Sequence, residues 1–164
     1  MIVLGIDPGT YSMGIGAVEV DGDQYAVTLS TALNPPRKAG IAERLAWLHE
    51  RLDSIVQDLN PEVVAIESPF VSRNVKAAVA IGQSQAVAMI AAASHGVPVT
   101  TYAPREVKKA VTDYGGSSKE QVQGMVQTLL GLSDPLDPPD RADALAVAIC
   151  HVQSTQTLGI EMWE

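Results

Sequence analysis

Ile2-Val3-Leu4-Gly5-Ile6-Asp7-Pro8-Gly9-Thr10 is the stretch whose reading decides the fold. Its apolar run is too short for a helix and rich in β-branched residues, which marks a strand buried on both faces. Pro8-Gly9 stops that strand. Asp7 therefore stands at its carboxyl end, the edge where open α/β sheets gather their ligands. Val63-Val64-Ala65-Ile66-Glu67 repeats the arrangement, with Pro69 close behind. If the two strands lie parallel and adjacent, both carboxylates crowd one edge.

Working outward, Ser12 to Val20 alternates small or polar residues with Met13, Ile15, Ala17 and Val18. Asp21-Gly22-Asp23 supplies turn chemistry, and Gln24 to Leu33 resumes a strand pattern. Connections this short predict antiparallel hairpins on the first strand. After a loop from Asn34 to Gly40, a helix is predicted from Ile41 to Leu59, with Ile41, Leu45, Leu48, Leu52, Ile55 and Leu59 on its apolar face. Beyond the Glu67 strand come an alanine-rich helix from Asn74 to Ser94, a short strand from Val97 to Tyr102 and a helix from Pro104 to about Val111. Gly115-Gly116 breaks the pattern. Ser117 and Glu120 match a capping box for a helix to about Leu130. An acidic, proline-rich connector from Ser133 to Pro139 leads into a last helix, Asp140 to about Ser154. The order of elements predicts one α/β domain over 1–154, a mixed five-stranded sheet flanked by helices. The tail 155–164 shows little pattern and is expected to be disordered.

A chain of 164 residues suits one domain with a sizeable core. With so few aromatics, Leu, Val, Ile and Ala must carry the packing. The single cysteine, Cys150, permits no intrachain disulfide and points to a reducing, cytoplasmic setting. No charged-then-apolar leader opens the sequence. The stretch from Ala77 to Ser94 lacks charge but contains Gln83, Ser84 and Gln85, so it reads as a buried or subunit-facing helix and not a membrane span. Net charge is −8, which at first argues against a nucleic-acid partner. Its distribution weakens that objection. Between Ser68 and Lys119 the bases Arg73, Lys76, Arg105, Lys108, Lys109 and Lys119 face only Glu106 and Asp113. That split suggests a basic face on an acidic body.

Asp140 and Asp143 are spaced to share one helix face, and Asp143 lies in an otherwise apolar run. Acids in a first helical turn complement the helix dipole, which accounts for Asp140 better than for Asp143. With Asp7 and Glu67 there are four carboxylates, each tied to a buried element. Packed together without a cation, they would repel and at least one pKa would rise. A hard divalent cation with oxygen ligands, such as Mg2+, removes that repulsion. Two such ions about 3.5–4 Å apart would activate a water and stabilise a leaving oxygen. On pattern alone, structural acids and a metal site stand level.

Gly5-Ile6-Asp7-Pro8-Gly9-Thr10, Ala65-Ile66-Glu67, Phe70, Asn74, Gly82-Gln83 and Asp140-Arg141-Ala142-Asp143-Ala144-Leu145-Ala146 together resemble the RuvC family of Holliday-junction resolvases. The similarity runs in order from about Met1 to Gln153. It implies a ribonuclease H-like fold, a homodimer, and Mg2+-dependent paired nicking of four-way DNA junctions in recombination and repair, with Mn2+ as a substitute ion. It implies a branch-migration helicase complex as partner. By position, Asp7, Glu67, Asp140 and Asp143 match the family's catalytic, metal-holding acids, and Asp140 falls where members carry Asp or His. Lys108 and Lys119 match basic positions near the cleaved strand. Lys119 is expected to neutralise charge on the transition-state phosphate, and Phe70 to stack on bases near the junction point. Arg73, Asn74, Lys76, Arg105 and Lys109 are candidate phosphate contacts. Gln85 departs from a position where a basic residue is common. The Asp7 loop also resembles the first phosphate loop of actin-like ATPases and sugar kinases, which close two such domains around a nucleotide; this chain supplies one. His95, His151 and Cys150 share no metal-ligand spacing, and Cys150 and Trp47 read as packing residues.

Overall fold

Side-chain alternation along the first strand sorts the molecule into two faces, and the acids follow from it. The computed structural model describes residues 1–69 and 74–161, with side chains through Gln156. The strands are β1 (Ile2–Asp7), β2 (Met13–Asp21), β3 (Gln24–Leu33), β4 (Val63–Glu67) and β5 (Val99–Tyr102). The helices are α1 (Ile41–Leu59), α2 (Val75–Ser94), α3 (Pro104–Thr112), α4 (Lys119–Leu129) and α5 (Asp140–Glu161). The sheet runs β3-β2-β1-β4-β5. The first three strands are antiparallel neighbours, and β4 lies parallel to β1 and to β5. This is the predicted mixed five-stranded sheet.

Period-two alternation puts Leu4, Ile6, Met13 and Ile15 against Leu48, Leu52 and Val56 of α1 and Ala88, Ala91 and Ala92 of α2. Val3, Val18, Val63 and Ala65 face the other way, toward α3, α4 and α5. Asp7 is in step with Val3, and Glu67 with Val63 and Ala65, so both acids rise on the face that α5 covers. Register agrees: Ile6 pairs with Ile66, and Asp7 with Gly14.

Glycine lets α5 lie directly on the sheet. A Cβ built at Gly5 would meet the Ala144 carbonyl oxygen at 2.1 Å, and one at Gly14 would meet the Asp140 carbonyl oxygen at 2.0 Å. Only a residue without a side chain allows that approach. From Ala144 to Val152 the helix is buried throughout. The Tyr102 hydroxyl and His151 Nδ1 lie 2.8 Å apart and tie β5 to α5, while Cys150 is buried, its thiol pushed up to about 11 by burial.

Several boundaries differ from the sequence reading. α4 is capped by Ser118, whose Oγ accepts from Gln121 N at 3.2 Å while Gln121 Oε1 accepts from Ser118 N at 2.8 Å. The cap lies one residue beyond the Ser117–Glu120 pair that the sequence pattern predicts. Ser117 Oγ lies instead 2.7 Å from Thr112 Oγ1, locking the turn between α3 and α4. α5 continues to Glu161, past the Ser154 end that the apolar pattern marks. On α1 the buried stripe is Arg44, Leu48, Leu52 and Val56, while Ile41 is exposed. Trp47 packs at the edge of that stripe.

α2 shows a further departure. It is long and apolar enough to cross a membrane by length and composition, yet only 22% of that window is buried. Val75, Val79, Ala86, Ile90 and Ala93 form an exposed stripe along one side. α2 is thus buried on one side only, through Ser84, Ala88, Ala91 and Ala92, and leaves an apolar face outward.

Candidate active site

β1 and β4 end side by side, and α5 begins above them. Asp7, Glu67 and Asp143 share one cleft, walled by Pro104 and Val107 of α3 and Val122 of α4, with Lys108 and Lys119 at its margin. Oxygens of Asp7, Asp140 and Asp143 all lie within 4.8 Å of one another. Asp140 is steered toward the group by Ser12, whose hydroxyl donates to Asp140 Oδ2 at 2.5 Å. Lys119 Nζ sits 2.7 Å from Asp143 Oδ2. Parallel pairing of β1 and β4 brings the two strand acids to one edge, and the seating of α5 on the sheet brings the two helix acids to them.

The electrostatics are those of a site short of positive charge. Burial first, then Glu67, Asp143 and Asp140, push the Asp7 carboxyl up to about 8, against a smaller opposing pull from Lys119. Burial and Asp143 push Glu67 up to about 7, with Lys119 and Lys108 opposing. The hydrogen bond to Asp143 raises Lys119. A pair of structural acids would be matched by donors or cations that hold them ionised at neutral pH. Here, among the described residues, only Lys119, 56% exposed at its side chain, makes an ion pair with the group, and Lys108 acts from further off. Oxygen-only ligands with unbalanced negative charge fit a hard divalent cation.

A pH dependence follows. Between about pH 4 and pH 8, folded Asp7 and Glu67 hold protons that the unfolded chain has already released. Raising the pH through that window therefore favours unfolding of the metal-free protein. At about 2–4 °C per kcal/mol for a chain of this size, a fall in melting temperature of about 5 °C or more from pH 5 to pH 8.5 is expected, read by circular dichroism in chelator. Added divalent cation should reverse it.

The other predicted residues divide. Lys108 and Lys119 reach the cleft. Lys76, Arg105 and Lys109 are exposed on the first turn of α2 and along α3. Asn74 Oδ1 accepts from Ala77 N at 3.1 Å and caps α2. Phe70 and Arg73 lie outside the described residues. Ser12, Tyr11 and Arg44 escaped the sequence reading. Arg44 is buried on the apolar stripe of α1, with its guanidinium carbon 4.0 Å from the Tyr11 ring centroid. The one available signal was its spacing, one turn before Leu48.

Comparisons with known proteins agree with this geometry. The sequence profile of the family described as crossover junction endodeoxyribonuclease RuvC matches residues 3–151. A crossover junction endodeoxyribonuclease RuvC from Dehalococcoides mccartyi is 48% identical over 151 residues, covering 92% of this chain and 90% of that one. Thermus thermophilus RuvC is 33% identical and superposes with a TM-score of 0.88 over 96% of both chains. In complex with its Holliday junction substrate the Thermus protein gives 0.90, again at 33% identity and 96% coverage of both.

Proposed function

We propose a mechanism from one premise: the chain belongs to the RuvC family of crossover junction endodeoxyribonucleases. It is a nuclease that resolves four-way DNA junctions. The convergence of Asp7, Glu67, Asp140 and Asp143 at one sheet edge carries the reading.

We assign Mg2+ to these acids, two ions per site with Mn2+ as a substitute. Held by Asp7, Glu67, Asp140 and Asp143, such ions would supply a water of lowered pKa and positive charge at the scissile phosphate. The protein supplies the rest. Asp7 and Glu67 are held by rigid strands and Asp140 and Asp143 by the first turn of α5, so the ligand set is preorganised. Ser12 fixes the carboxylate of Asp140. The Lys119 ammonium stands at the cleft margin, where it donates to a phosphate oxygen as charge develops. Lys108, on the Glu67 side, orients the same strand. Val107 and Val122 form an apolar wall that limits bulk water. Hydrolysis in line leaves a 5′-phosphate and a 3′-hydroxyl, with no covalent enzyme intermediate. Phe70 stacks on bases at the junction, Arg73 and Asn74 meet phosphates, and Lys76, Arg105 and Lys109 meet phosphates outside the cleft.

Paired nicks need paired sites. A junction has near two-fold symmetry, and a two-fold homodimer presents two clefts to it. The exposed α2 stripe of Val75, Val79, Ala86, Ile90 and Ala93 is the face we assign to that contact: Val75, Val79 and Ile90 offer apolar surface to bury, and Ala86 and Ala93 permit close helix approach. Val79→Asp with Ile90→Asp should turn a dimer into a monomer in sedimentation velocity at micromolar concentration. A parent that sediments only as monomer refutes the assignment. A branch-migration helicase complex delivering junctions in the cytoplasm completes the proposal.

The direct test is cleavage of a four-way junction, with and without Mg2+, with both nick positions mapped. Symmetric nicks in opposing strands are expected only with the ion. A linear duplex and an RNA–DNA hybrid should be cut poorly; equal cutting of either would replace junction resolution with a broader nuclease activity.

A further inference from the structure

We propose that the Tyr11 ring, held in place by Arg44, is a stacking platform for a nucleobase of the DNA strand entering the cleft. The inference rests on the junction-cutting reading above. Tyr11 belongs to the loop joining β1 to β2. That loop follows Asp7 directly, and Ser12, the residue after Tyr11, donates to Asp140. That bond ties the loop directly to the acid cluster.

Tyr11 is a large aromatic left 57% exposed. Its ring nonetheless has a fixed partner, the Arg44 guanidinium at 4.0 Å from its centroid. Arg44 is 8% exposed. Its Nη1 donates to the Ala39 carbonyl at 3.0 Å, and its buried Nε has no protein partner among the described residues. Among the described residues no carboxylate lies within ion-pair distance of it. Burying a cation with so little compensation is unfavourable, so packing alone is a poor reason for an arginine on the apolar stripe of α1. What the arginine achieves is a tyrosine ring set in one orientation with its outer side open. A preset ring loses little freedom when a base lands on it. The guanidinium beneath adds cation–π attraction to the layer and positive potential for the neighbouring phosphates. Nucleic acid is the ligand class favoured, because every base offers a flat π-face and the loop borders a site for phosphodiester.

The test uses the full chain carrying Asp7→Asn, which separates binding from cutting, and a fluorescent four-way junction read by anisotropy in Mg2+ across a salt series. Tyr11→Leu, which keeps bulk but not the ring, should weaken binding about ten-fold. Tyr11→Phe should rescue it. Because stacking releases no counterions, the slope of affinity against salt should stay unchanged, whereas a lost phosphate contact lowers it by about one. A purely structural Tyr11 would give a lower melting temperature for Tyr11→Leu with unchanged affinity, and that result overturns the proposal. So does a Tyr11→Phe variant as weak as Tyr11→Leu, or a reduced salt slope. Failure of the Asp7→Asn protein itself to bind a junction would remove the resolvase reading and this inference with it.

Discussion

Asp7→Asn is expected to abolish junction nicking and, in the same protein, to raise the melting temperature of the metal-free form at pH 8. The loss should be at least about 10²–10³-fold, the scale seen when one preorganised electrostatic group is removed from a reaction centre. The gain has a separate cause. At pH 8 the Asp7 carboxyl is partly ionised against burial and against Glu67, Asp143 and Asp140, all of which push its pKa up to about 8. Asparagine has the same shape and no charge, so the repulsion ends and Glu67 loses a neighbour. Stability that the parent loses between about pH 4 and pH 8 is then largely retained, since the variant has no proton to release at this position. Burial holds His151 below its ordinary value, which acts in the opposite sense at weakly acidic pH. The difference between parent and variant cancels that contribution and isolates the site. A variant that melts lower than the parent at pH 8 would mean that Asp7 is a satisfied structural acid. A variant that still nicks in Mg2+ would move the site elsewhere.

Gly14→Ala tests whether the position of α5 is what assembles the site. The added Cβ would lie 2.0 Å from the Asp140 carbonyl oxygen and 3.2 Å from the Ala144 Cβ. The first of these is backbone and cannot rotate away, so the helix start must lift from the sheet. Overpacking of this kind costs about 1–3 kcal/mol, or about 2–12 °C in melting temperature for a chain of this size. Activity should fall further than stability. Asp140 and Asp143 ride on the displaced turn, and a misplacement of about 1 Å can cost about 10²-fold in rate. Rates measured well below the melting transition separate the two effects. Gly124→Ala is the control. Its Cβ would meet nothing within 4 Å on the exposed side of α4, and alanine there should add about 0.5–1 kcal/mol with nicking unaltered. If Gly14→Ala behaves like Gly124→Ala, close seating of α5 is not what places the acids.

Much of this protein is legible without coordinates because its elements are local. The apolar run ending at Asp7, its repeat ending at Glu67 and the alternating steps of α1 report strands and a helix to within a residue or two, since burial of one face imposes a period on the neighbouring sequence. Motif resemblance then joined four distant acids into one site. Sequence pattern alone places the α4 cap one residue early, because Ser117 and Ser118 each have a capping-box partner three positions on, Glu120 and Gln121. Tertiary contact to Thr112 decides between them.

Other features had no local signature at all. Arg44 sits on an apolar stripe because Tyr11 comes to meet it. Asp140 is aimed by Ser12 across more than a hundred residues of chain. The glycines of β1 and β2 look like weak strand formers until α5 is laid over them. Composition and periodicity by themselves determined the strands, the helices and which residues are acids at strand ends. Only the packed structure decided that those acids share one cleft and have pKa values displaced together. The reason is physical: side-chain period is set by the backbone a residue belongs to, whereas electrostatic coupling depends on distances that packing alone creates.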